Sequence, residues 1–159
     1  MCHFIFLISY LFLPSISNGT GLNSIEKLRR VKKSPTCEKV VRNSITALSF
    51  AATESDWNYT NKLCLLKAEQ KSLCNDHYDA MSLYHASIES AKRSGFVHEQ
   101  GLACEKAGFH CKRRGRSLHA LEYFKQAREC YEEWGSSMKV NSIQKEIDSL
   151  SAAGTGVSS

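Results

Sequence analysis

The chain has few of the residues that break helices and few of the patterns that build sheets. Only two prolines occur in 159 residues, Pro14 and Pro35. From residue 36 onward, therefore, no imino acid interrupts a helical hydrogen-bond ladder. No run of alternating β-branched and polar residues is long enough to argue for a strand. Close CxxC and HxxxH pairs are also missing, which removes the spacings that usually mark zinc. What is present favours helix: Ala, Leu, Lys, Glu and Ser dominate from Thr36 onward. With 42% hydrophobic and 23% charged residues, the composition is that of a soluble globular protein, and 159 residues make one domain or part of a longer array.

The seven cysteines are an odd number and their spacing resembles no disulfide framework. Cys64, Cys104 and Cys111 fall on apolar faces of predicted helices, where a free thiol behaves as a small hydrophobe. This favours a reduced, cytoplasmic setting. A zinc site would recruit Cys104, His110 and Cys111, but only the two cysteines share a helix face. The packing reading is preferred, and neither a metal nor another cofactor is expected.

The formal charge of +5 comes largely from two clusters. Lys27, Arg29, Arg30, Lys32 and Lys33 form a poorly patterned segment, read as a solvated surface. Lys112, Arg113, Arg114 and Arg116 sit beside Gly115, where a helix should end and cations favour the negative end of its dipole. The same residues would serve an acidic or nucleic-acid partner. The helix-end reading is preferred.

Phe4 to Leu13 is an apolar run stopped by Pro14, with Ser15 and Ser17 in the small-x-small pattern of a signal-peptidase site. It is short for a membrane span and lacks a positive leader. A secreted glycoprotein is the alternative reading, with residues 1–17 as signal peptide and Asn18 and Asn58 heading glycosylation sequons.

From Thr36 the pattern is helical. Cys37, Val41, Ile45, Leu48 and Ala52 make one stripe, ending near Ser55-Asp56. Further helices are expected over Asn61–Cys74, Tyr78–Ser94, Val97–Arg114, Leu118–Trp134 and Ser137–Leu150. Two of them repeat: Tyr78 to Gly95 and Leu118 to Gly135 match forty residues apart, Ala80 with Ala120, Tyr84 with Phe124, and Ser87 with Ala127. Short side chains at Ala80, Gly108, Ala120 and Ala127 let helices approach, and Tyr84 and Phe124 fill the space beside them.

These small and large positions resemble the tetratricopeptide signature, with its period stretched to forty and its closing proline absent. Two further runs, Gly95-Phe96-Val97-His98-Glu99-Gln100-Gly101-Leu102-Ala103 and Cys130-Tyr131-Glu132-Glu133-Trp134-Gly135 with Lys139-Val140, resemble a more particular family. It comprises the trifunctional Ser/Thr kinase–ATPase–sensor histidine kinases, in their helical segment. Trp57 to Lys62 and Leu65 to Glu69 fit that segment as well. In that family the segment lies between an ATPase module and downstream GAF and histidine-kinase domains. The resemblance covers about Thr36 to Leu150. No phosphate loop, Walker lysine, HRD, DFG or phosphoacceptor histidine box occurs, so only the scaffold is matched.

The expected fold is therefore all-α, built of antiparallel helix-hairpin repeats as in an α-solenoid fragment. Residues 1–35 are expected to be signal-like or poorly ordered, 36–150 to form the repeat domain, and 151–159 a disordered tail. The packing signature is Ala80, Tyr84, Gly108, Ala120, Phe124 and Ala127. The expected role is a non-enzymatic scaffold or protein-interaction module, with a protein or neighbouring domains as partner. Neither nucleic acid nor membrane is expected as one, the apolar N-terminus aside. His98 and Glu99 are tempting contact residues, with helix-end support as the plainer account. Tyr123, Tyr131 and Trp134 are read as core aromatics before recognition ones. An enzyme would have to use Cys111 with His110, whose side chains diverge along a helix.

Overall fold

The computed structural model describes residues 18–31 and 34–155. Among them are seven α-helices and no strand: α1 (Asn18–Val31), α2 (Pro35–Glu54), α3 (Asp56–Leu73), α4 (His77–Arg93), α5 (Val97–Arg113), α6 (Ser117–Glu133) and α7 (Ser137–Thr155). The apolar start, with Ser15 and Ser17, and Lys32, Lys33 and residues 156–159 lie outside the described residues. The chain divides after Ala80 into two compact units.

In the first unit α1, α2 and α3 pack against one another. Ser34 starts α2 by accepting the Cys37 amide on its hydroxyl at 3.4 Å, and Pro35 supplies a helix-compatible φ at no cost in hydrogen bonds. Ile25, Val41, Leu48 and Leu66 form the core, with Leu22, Leu28, Ile45, Tyr59, Leu63 and Leu73 around it. A Cβ at Gly21 would stand 2.9 Å from the Leu66 methyls, so α1 lies close against its neighbours. Glu69 is almost fully buried in this unit, where its Oε2 accepts from the Arg29 guanidinium at 2.8 Å. The same Arg29 nitrogen donates to the Ser72 hydroxyl at 3.2 Å.

Three expectations are corrected here. Residues 18–31, expected to be poorly ordered, form a helix, because Ile25 and Arg29 gain partners that the local sequence does not contain. The first basic cluster is accordingly not wholly solvated: Arg29 is part-buried, while Lys27 and Arg30 are exposed. Helix α3 begins at Asp56 instead of Asn61, with Asp56 in its first turn favouring the dipole and accepting the Thr60 hydroxyl.

The second unit comprises α4 from Met81 onward with α5, α6 and α7. Its helices start at regular intervals, and the backbone shows why. Asn75, Gly95, Gly115 and Gly135, each twenty residues after the last, have φ of 58°, 70°, 70° and 81°. After each, the next residue's amide bonds back to the last helical turn: Asp76 to Lys71, Phe96 to Ala91, Arg116 to Cys111, Ser136 to Tyr131, at 2.9 to 3.1 Å. This is the Schellman ending, in which a left-handed residue lets the orphan carbonyls of the final turn be satisfied.

Packing follows the small and large positions. Ala80, Tyr84, Ala120, Phe124 and Ala127 are fully buried, and so is Gly108. Within the α5–α6 hairpin a Cβ on Gly108 would stand 2.7 Å from the Phe124 ring, too close for any side chain. Phe109 meets Phe124 edge-on at 5.1 Å. Helix α7 turns Ile143 and Ile147 inward and continues to Thr155, five residues into the segment expected to be a disordered tail.

Candidate interaction surface

The packing residues of the repeat are all interior, so they position a surface and do not themselves form one. Of the runs that carry the kinase-family resemblance, Trp57 to Lys62 and Leu65 to Glu69 lie in the first unit, and the others are scattered over about forty-five positions of the second, from Gly95 to Val140. In space the runs of the second unit converge at one end of it, where α5 begins, α6 ends and α7 begins. Gly101 on α5 admits α6: a Cβ there would meet Cys130 Cβ and Tyr131 Cε1, each at 3.0 Å. The Tyr131 phenol donates to Glu105 Oε2 at 2.5 Å, and Lys139 Nζ donates to the same oxygen at 2.9 Å. Lys139 also lies 5.3 Å from the centre of the Tyr131 ring. One carboxylate thus ties α5 to both following helices. Burial first, and the neighbouring Glu105 second, hold the Tyr131 phenol protonated far above its ordinary range, so it remains a donor.

Above this network the His98 ring stacks on Trp134, with centroids 5.2 Å apart and planes 30° from parallel. Trp134 is 53% exposed and Met138, next along, is 81% exposed. Glu99 stands in the first turn of α5, where its charge favours the helix dipole, and its Oε1 is 3.7 Å from His98 Nε2. The expected core aromatics therefore divide. Tyr123 and Tyr131 are interior, Tyr123 bonded to His85 Nε2 at 2.9 Å, whereas Trp134 faces solvent. His98 packs against the exposed indole of Trp134, while Glu99 stands at the helix end as expected. Glu105 was missed in the sequence, because nothing local marks a carboxylate whose partners are 26 and 34 residues away.

The remaining candidates behave as structural groups. Burial raises the thiols of Cys104, to about 12, and of Cys111 and Cys130, which leaves them protonated and poor nucleophiles at neutral pH. Cys111 Sγ lies 3.9 Å from Met81 Sδ, and His110 is buried beside the Tyr84 ring at 5.7 Å. Among the described residues no group of three His, Cys, Asp or Glu is placed to hold a metal ion. Of the second basic cluster, Lys112 is bound by Glu146 at 2.5 Å, while Arg113, Arg114 and Arg116 are exposed. The first unit shows its own apolar exposure, with Phe50 66% and Trp57 62% accessible. Among the described residues no helix is long and apolar enough to cross a membrane. Comparison with known proteins returns no matching family model, no matching curated protein and no matching solved structure.

Proposed function

We propose that the chain is a non-enzymatic, tetratricopeptide-like helical-repeat module. In this reading it binds a protein partner through the His98–Trp134–Met138 surface. The observation that carries this reading is an indole packed against a neighbouring ring yet left half in water. Trp134 is stacked on His98 and lies above the Tyr131–Glu105–Lys139 network, while half its surface is accessible. Aromatic anchors presented on a stiff support are the residues that dominate protein interfaces. A kinship with the helical segment of the trifunctional kinases belongs to the same proposal. It is supported by the meeting of the Gly95–Ala103, Cys130–Gly135 and Lys139–Val140 runs in one packed junction of the second unit. The cytoplasm is favoured over a secreted setting by seven cysteines, an odd count whose spacing fits no disulfide framework.

Site-specific photo-crosslinking in the native cell tests the interaction. A photoreactive phenylalanine analogue replacing Trp134 is expected to trap a discrete heavier species. The same group replacing Lys145, exposed on α7, is expected to trap none. Equal labelling from both positions, or none from Trp134, removes the surface from consideration.

A further inference from the structure

The turn between α5 and α6 lies at the opposite end of that hairpin and takes no part in the proposed surface. Residues 113 to 119 are exposed without a break, an arginine-rich run that includes Leu118, which is 77% accessible. Within it Ser117 is the first residue of α6. The preceding Arg116 makes no side-chain cap, and the first turn holds no acidic residue, so its amides and dipole face the turn unopposed.

We propose that Ser117 is a phosphoacceptor site for a Ser/Thr protein kinase with an acidic substrate groove. The acceptor hydroxyl has Arg116, Arg114 and Arg113 at one, three and four residues before it and an uncovered leucine directly after it. Arginine forks and groove carboxylates make charge-assisted, geometrically specific pairs, and Leu118 is free to enter an apolar recess. In the reaction Ser117 Oγ attacks the γ-phosphorus of Mg-ATP and the bond to the departing ADP oxygen breaks. The hydroxyl proton passes to the kinase's catalytic aspartate. Entry into the groove requires opening the Gly115–Lys112 and Arg116–Cys111 backbone bonds at the turn, the low-stability end of a helix. The phosphoryl dianion then lies where helix amides and arginines favour it.

The chain carries its own control. Ser137 stands twenty residues on, again first in its helix, again after a left-handed glycine, and again before a bare apolar side chain, Met138. There Glu133, Trp134 and Ser136 stand where Arg113, Arg114 and Arg116 stand before Ser117. The two serines share a backbone setting and differ in charge.

The folded full chain is incubated with Mg-ATP and the catalytic subunit of cyclic-AMP-dependent protein kinase, and sites are mapped by tandem mass spectrometry. One phosphate on Ser117 with Ser137 unmodified is the expected result. Ser117→Ala should abolish incorporation, and Arg114→Ala, a surface change, should slow it by about tenfold. Comparable labelling of Ser137, an unchanged rate in Arg114→Ala, or no incorporation into the folded chain overturns the proposal.

Discussion

At Gly108 two opposing effects can be weighed directly. Alanine is intrinsically better than glycine inside a helix by about 1 kcal/mol. Against that, its methyl would stand 2.7 Å from the ring of Phe124, which is fully buried and has nowhere to go. Overpacking of this kind costs about 1–3 kcal/mol, so Gly108→Ala should lower the urea midpoint with m unchanged. In a Phe124→Leu background the penalty should shrink, and a double-mutant cycle that shows no coupling would contradict the contact. Arg29 offers a second test. Replacing it with methionine removes the cation that faces the buried Glu69 carboxylate, at a cost of about 3 kcal/mol. Arg29→Met with Glu69→Gln should recover part of this loss in chemical unfolding. Neither pair is equally legible in the sequence. Gly108 and Phe124 declare themselves through a repeated small-large pattern, whereas Arg29 and Glu69 are forty residues apart with no pattern to link them.

Among the elements, the helix endings are the most regular feature, and they follow from local chemistry. A left-handed residue every twenty positions stops each helix from α3 to α6 and sets the next. Three of the four are glycine, which pays no steric penalty there, and the fourth is Asn75. Asn75→Gly should therefore raise stability by about 0.5 kcal/mol, and Gly115→Ala should lower it by about 1 kcal/mol, although open space surrounds Gly115. Thermal unfolding of the two variants should shift in opposite directions. The three helices that end in a left-handed glycine lie within one residue of their sequence-based bounds, whereas α3, ended by Asn75, starts five residues earlier than its pattern suggests. Helix α1 was not placed from sequence, since it ends in a basic stretch without a glycine or proline, and its first-turn and last-turn residues resemble those of a loop.

For the whole molecule, buried protonated groups give stability a direction in pH. The Cys104 thiol rises from 9.0 to about 12 on folding and the Tyr123 phenol from 10.0 to about 12, in both cases chiefly through burial. The folded chain therefore holds these protons more tightly than the unfolded one. Their contribution is complete below pH 9.0 and is lost progressively as pH rises toward about 12. The urea midpoint should fall across that window, and Cys104→Ala should flatten the fall. A midpoint that stays level as pH rises through the window would show that the thiol is not buried as described. The interior of the molecule was largely written in its periodicity: Ala80, Tyr84, Gly108, Ala120, Phe124 and Ala127 are all buried. Helix, helix ends and interior positions depend on neighbours within about four residues, and such neighbours are visible in a string of letters. The tie of Glu105 to Tyr131 and Lys139, the pairing of Glu69 with Arg29, and the exposure of Trp134 beside a buried Tyr131 depend on contacts between helices. Those arise when separate helices meet, and adjacent residues in the chain carry no mark of which side of that meeting they will occupy.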